Sequence, residues 1–306
     1  MSKEKGFIFD TDDGEVEVDI EEVKRLANEG SANGQYALGM AHLFGWEVEQ
    51  DPSKGFKLLE AASESGHEDA MVLLVKMFFS GDYLGMDAAK AVEYSKKGAA
   101  AGIGDAQLFL GIAYMDGVEV EQDYSKALEL FRSSANKGNA EARNTLAYMY
   151  QQGLGVDKDE EKAFKLYKNS ASAGNVNSQY QLGACYEMGI GTPINRKKAV
   201  EWYTKAAEQG DPFSMDRLGI LYFGNSKDLP QDPEVSFEWF MQASLKGLPD
   251  SMYTIGCYYM DGFGVNKDTA EAKKWLKLAS EGGSSPATEL LAKLDEKKEE
   301  ENNDDQ

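Results

Sequence analysis

Few residues in this chain could carry chemistry, and their spacing argues against most of it. The 306 residues include two histidines, His42 and His67, and two cysteines, Cys185 and Cys257. A zinc site needs His and Cys ligands at short, characteristic spacings, and neither histidine has such neighbours. No Ser-His-Asp or Cys-His nucleophile arrangement can be assembled from them. His67 precedes Glu68 and Asp69 and reads as a solvated residue at a helix start, whereas His42 falls on a register otherwise filled by rings and reads as core. The acidic run Asp157-Lys158-Asp159-Glu160-Glu161 lacks the glycine and the ligand spacing of a calcium loop; carboxylates there suit a helix N-terminus. The glycine pairs of Gly153-Leu154-Gly155-Val156, Gly189-Ile190-Gly191 and Gly262-Phe263-Gly264-Val265 resemble a phosphate cradle only in spacing, because no Gly-Lys-Ser/Thr follows and no strand precedes. The expectation is a chain without catalytic residues, metal or cofactor.

The elements that would position any site are set out by a repeat. Gly30, Gly66, Gly102, Gly138, Gly174, Gly210, Gly247 and Gly282 recur at intervals of 36, 36, 36, 36, 36, 37 and 35 residues. Within each interval a small residue is followed four positions later by Leu38, Leu74, Leu110, Leu146, Leu182, Leu218 or Ile255. The next position is Gly39, Gly111, Ala147, Gly183, Gly219 or Gly256, with Val75 the exception, and three further on stands a ring, from His42 and Phe78 to Tyr259. Offsets of four and three place these residues on one face of a helix, here helix A. Glycine inside a helix costs about 1 kcal/mol against alanine, so its recurrence at one register points to close backbone packing. A glycine turn follows, then Asp51, Asp87, Asp123, Asp159, Asn195, Asp232 or Asp268, residue types that cap a second helix, B. Helix B carries Lys54, Lys90, Lys126, Lys162 and Lys198 in one column.

One helical hairpin cannot bury its own apolar face, so such units stack into a shared core. The reading is an all-α solenoid of about seven 36-residue helix-turn-helix repeats, with full repeats over about 31–282 inside a single solenoid at 18–297. A half-repeat over Ile20–Gly30 precedes them and a capping helix near 286–297 follows. Residues 1–17 are expected to form an acidic flexible segment and 298–306 an acidic disordered tail. Of the net charge of −21, residues 1–22 supply −7 and residues 295–306 supply −5. With no basic stripe, a nucleic-acid partner is excluded. No run of about 18 apolar residues suggests membrane insertion. The acidic start without a signal-peptide pattern and the sparse cysteines fit a cytoplasmic location.

These motifs resemble the Sel1-like repeat family, a relative of the tetratricopeptide repeat. Leu182-Gly183, Tyr186, Gly189-Ile190-Gly191, Lys198-Ala199, Trp202 and Ala206-Ala207 with Gly210 carry most of its pattern in the fifth unit. The second and sixth units depart most, through the shortened turn Gly81-Asp82-Tyr83-Leu84-Gly85 and through Gly224-Asn225-Ser226-Lys227-Asp228-Leu229-Pro230. The resemblance implies a right-handed αα-superhelix that scaffolds protein complexes, with helix A lining the concave face. Some cysteine-rich members resemble penicillin-binding or penicillin-hydrolysing proteins with a disulfide in each repeat. That alternative is disfavoured because the cysteine pattern is absent.

By the same analogy, positions two before and two after the landmark leucine face the groove. They supply Tyr36, Leu108, Asn144, Tyr180, Asp216 and Tyr253, and then Met40, Lys76, Ile112 and Tyr148, as the candidate partner-binding residues. A further row, five after the leucine, runs from Leu43 through Glu187 and Phe223 to Met260. Tyr and Met are common at protein-binding surfaces. The expected partner is a protein or peptide, with self-association through an imperfectly capped end also open.

Overall fold

The computed structural model describes residues 7–11, 14–81, 85 and 87–304. Its contacts define two compact units, residues 1–157 and 158–306. The architecture is an all-α solenoid preceded by one hairpin.

The first unit opens with strands β1 (Phe7–Thr11) and β2 (Gly14–Val18), paired antiparallel with Phe7 opposite Val18. Then come α1 (Ile20–Asn28), α2 (Ala32–Phe44), α3 (Pro52–Glu64), α4 (Glu68–Ser80), α5 (Ala88–Ala100), α6 (Gly104–Asp116), α7 (Tyr124–Asn136) and α8 (Ala140–Gln152). The second unit holds α9 (Glu160–Ser172), α10 (Val176–Met188), α11 (Arg196–Glu208), α12 (Pro212–Phe223), α13 (Pro233–Leu245), α14 (Pro249–Asp261), α15 (Thr269–Glu281) and α16 (Ser285–Asp304). In each unit consecutive helices pack one against the next. Even-numbered helices α2 to α14 are the A helices and odd-numbered α3 to α15 the B helices.

Regular structure reaches into both terminal segments. The N-terminal segment expected to be flexible contains the hairpin. Val16 and Val18 alternate with Glu15 and Glu17, a period-two pattern that the segment's acidity obscures. Phe7 and Val18, with Ile20, pack against Val23, Ala27 and Leu38, covering the apolar face of the half-repeat. At the other end α16 continues to Asp304 through a stretch expected to be disordered, where Lys and Glu are good helix formers. Residues 1–6, 12–13 and 305–306 of these two segments lie outside the described residues, as do residues 82–84 of the shortened turn.

The B helices begin where a side chain can accept their free N–H groups. Asp51, Asp87, Asp123, Asp159, Asn195, Asp232 and Asp268 each accept from the backbone N–H three residues on, at 2.8–3.1 Å. Ser31, Asn139, Asn175 and Asp211 do the same for A helices, while Ile103 and Leu248 offer no side-chain cap. The closing glycine of the seventh repeat is Gly283 (φ 96°), not Gly282 (φ −77°). The last interval is therefore 36 residues rather than 35.

Volume complementarity holds A against B. A Cβ on Gly111 would stand 2.8 Å from the Phe131 ring, one on Gly183 2.7 Å from Tyr203, and one on Gly219 2.8 Å from Phe240. Repeat two reverses the sizes. Val75 takes the glycine register and Ser95 the register of Phe131, and both are buried. The exception in the pattern is thus a large-small exchange at one layer, as close packing requires. The lysine column has its own partner: Lys90 lies 5.3 Å from the Phe78 ring, Lys126 5.1 Å from Tyr114 and Lys198 5.2 Å from Tyr186, within cation–π range.

Candidate functional site

In the first unit the candidate residues are unequally available. Tyr36 and Met40 are half-buried against the Leu74 core. The Tyr36 ring stacks on His67 at 4.3 Å, and burial, with Asp69 adding, raises its phenol pKa. His67 is therefore not the solvated residue expected. It is half-buried, its Nδ1 accepts the Ala70 N–H at 3.3 Å, and burial lowers its pKa. His42 is buried and bonds Glu49 O through Nδ1 at 3.1 Å, as its core register implies. Lys76 is exposed and lies 3.8 Å from Asp105, which also accepts from Asn139 at 2.6 Å. Ile112 and Asn144 are half-buried and Tyr148 is 44% exposed. Leu108, expected in the groove, is 6% exposed and belongs to the core; at this point in the repeat, packing against neighbours outweighs the tetratricopeptide analogy.

In the second unit the same rows build two different surfaces. Tyr180 is half-buried, 5.6 Å from the ring of buried Tyr203. The Tyr203 hydroxyl donates to Glu187 Oε2 at 2.8 Å, and Arg217 pairs with the same carboxylate through Nε at 3.3 Å and through Nη2. Burial first, and the Glu187 charge second, push the Tyr203 phenol far above its usual range. Asp216 accepts from Ser251 at 2.7 Å; burial raises its carboxyl pKa, with that hydrogen bond opposing.

One repeat later the surface is apolar. Ile220 and Phe223 on α12, Phe240 on α13, and Tyr253, Cys257 and Tyr258 on α14 line a cleft of about 570 Å³. It opens to solvent, with Ile220 39% and Phe223 50% exposed. Tyr253 and Phe223 belong to rows named from the sequence, and Ile220 and Cys257 stand two positions after the landmark residues Leu218 and Ile255. Phe240 and Tyr258 were not anticipated in it.

Beside the cleft the sixth turn is built differently from the others. In five other repeats the residue after the capping glycine is apolar, and its N–H returns to the carbonyl five residues back. Trp46, Val118, Leu154, Ile190 and Phe263 do so at 3.0–3.1 Å. Repeat six has Asn225 there, and Gly224 is extended (φ −66°, ψ 159°) rather than left-handed. The loop closes instead through Ser226 and Leu229. Phe223, the last residue of α12 before this turn, is 50% exposed.

The Sel1 repeat model matches residues 32–67, 69–103, 104–139, 140–175, 176–211, 212–248 and 249–284. The chain belongs to the Sel1 repeat family. Among solved structures it is similar to a Sel1 repeat protein from Oxalobacter formigenes, at 29% identity and TM-score 0.73, covering 90% of this chain and 79% of that one. It is also similar to c5321, a protective antigen present in uropathogenic Escherichia coli strains and displaying an SLR fold, at 33% identity and TM-score 0.75. That match covers 90% of this chain and 59% of the antigen, so the chain spans less than two thirds of its length. No curated protein matches the chain.

Sel1 repeats form a tetratricopeptide-like fold that commonly serves as a protein-interaction scaffold. Cys185 and Cys257 are free thiols, the first buried. Burial pushes the Cys185 thiol up to about 12, which leaves it protonated and unreactive at neutral pH. Among the described residues no group of three or more His, Cys, Asp or Glu could hold a metal ion, and no helix is long and apolar enough to cross a membrane.

Proposed function

We propose that this Sel1 repeat chain is a non-catalytic cytoplasmic adaptor that holds a protein or peptide partner on its helix-A face. The observation that carries the reading is the solvent-open apolar cleft in the second unit, lined in part by the A helices α12 and α14 around Phe223 and Tyr253. Monomeric proteins expose few contiguous apolar surfaces, and those that persist mark interaction sites. In the first unit the partner would meet Tyr36, Met40, Lys76, Ile112, Asn144 and Tyr148, and in the second Tyr180, Asp216 and Tyr253.

The test is affinity capture from the native host's lysate with the wild-type chain and with a Tyr36→Ala, Tyr180→Ala, Tyr253→Ala variant. Circular dichroism first establishes that the variant folds. A specific partner retained by the wild type and lost by the variant supports the reading. A partner held equally by both moves the contact off these rows.

A further inference from the structure

We infer that the cleft of the second unit recognises an apolar side chain followed by an arginine in a bound peptide. This inference rests on the scaffold reading above and specifies the chemistry of its partner.

The walls select the apolar side chain. Phe223, Tyr258 and Phe263 meet edge to face or tilted, with ring centroids 5.0–6.3 Å apart, and Phe240 closes behind Tyr258 at 5.8 Å. A volume of about 570 Å³ falls within the range of about 300–1,000 Å³ typical of ligand pockets, which is more than one side chain fills. The cleft has room for a second group beside the anchor.

The polar atoms of the cleft determine its charge. Two of its polar side chains donate to the chain's own backbone. Gln231 Nε2 donates to the Phe223 carbonyl at 2.7 Å, and the Thr254 hydroxyl donates to the Asp250 carbonyl at 3.0 Å. The formal charge in the lining is the Asp261 carboxylate, which is exposed and has no ion-pair or hydrogen-bond partner among the described residues. The Asp261 carboxylate favours a ligand that brings donors and a positive charge. The chain's net charge of −21 attracts such a ligand at long range.

Guanidinium suits the surroundings better than ammonium, because it is planar and stacks on aromatic faces while pairing with a carboxylate. The preceding repeat shows that this face accommodates such a group. There Arg217 pairs with Glu187, which holds the register of Phe223, next to Tyr203, which holds the register of Phe240.

The experiment measures fluorescence anisotropy of short fluorescein-labelled peptides on the full chain. The probes are Gly-Ser-Phe-Arg-Ser-Gly and its counterparts with Phe-Glu, Ala-Arg and Phe-Lys at the centre. The receptors are the wild type, Asp261→Asn and Phe223→Ser, each checked by circular dichroism; both positions are exposed, so both variants should fold. The expected order is Phe-Arg above Phe-Lys, with Ala-Arg and Phe-Glu weakest. Asp261→Asn should weaken the Phe-Arg peptide about tenfold, the scale of one charge-assisted hydrogen bond, and leave the Phe-Glu peptide no weaker. Equal binding of Phe-Arg and Phe-Glu, indifference to either substitution, or no binding at millimolar peptide overturns the inference. A partner still captured through Tyr36 and Tyr180 would then leave the scaffold function intact and remove only this pocket. Loss of both would remove the two together.

Discussion

Replacing Gly111 by alanine should destabilise the chain, although alanine is the better helix former. The added Cβ would lie 2.8 Å from Phe131 Cε1, 3.0 Å from Cδ1 and 3.1 Å from Cζ, where carbons normally rest about 3.5–4.0 Å apart. Phe131 is 0% exposed and cannot swing into solvent, so the helices or the ring must shift. Overpacking of this kind costs about 1–3 kcal/mol, against about 1 kcal/mol gained from helix propensity. The expected net loss is about 1 kcal/mol, opposite in sign to propensity alone. Phe131→Ser, which copies the Ser95 layer of repeat two, removes the obstacle at its own cost of roughly 3–5 kcal/mol. In that background Gly111→Ala should become stabilising by about 1 kcal/mol, giving a coupling of about 2 kcal/mol in the double-mutant cycle. Urea unfolding followed by far-ultraviolet circular dichroism measures all four species. Stabilisation by Gly111→Ala in the wild-type background, or a coupling near zero, refutes the volume-exchange argument.

Gly191 combines positive φ (63°) with a Cβ position 2.1 Å from the Glu160 carbonyl oxygen. Gly191→Ala should therefore cost at least about 2 kcal/mol, seen as a lower urea midpoint. Asp159→Ala removes the acceptor for the Lys162 N–H at 2.8 Å and should cost about 1 kcal/mol, with Asp159→Asn largely spared; thermal melts distinguish the two. His67 titrates below its ordinary 6.5 in the folded chain because burial disfavours the charged ring. Its contribution is therefore complete above 6.5 and is lost as pH falls toward the folded value, because the unfolded chain takes the proton first. Between about pH 7.5 and 5.5 the wild type should lose more stability than His67→Asn, which keeps a capping side chain without titrating; equal loss would exclude His67 as the source.

Local physics made much of this molecule legible in its sequence. The helix boundaries follow from caps and turns, which need only neighbouring residues, so Asp51, Asp123 and Asn195 could be read as B-helix caps before any fold was known. The small-large periodicity likewise fixed which faces meet, and Val75 was visible as an exception. Its explanation was not, because Ser95 stands 20 residues away and only packing places the two registers in one layer. The hairpin over Phe7–Val18 escaped because an acidic segment masks a short alternating strand, and its apolar ends gain stability only against α1 and α2.

The candidate surface divides in the same way. Sequence by itself determined the rows of helix A and marked the sixth turn as irregular. Tertiary structure decided that Leu108 is core, that Glu187 is bound by Arg217 and Tyr203, and that Phe223 opens onto a cleft while Asp261 stays unpaired. Periodicity specifies the direction in which a side chain leaves its helix. Exposure and pairing depend on what the next repeat brings opposite it, which is a property of the packed layers rather than of any one of them.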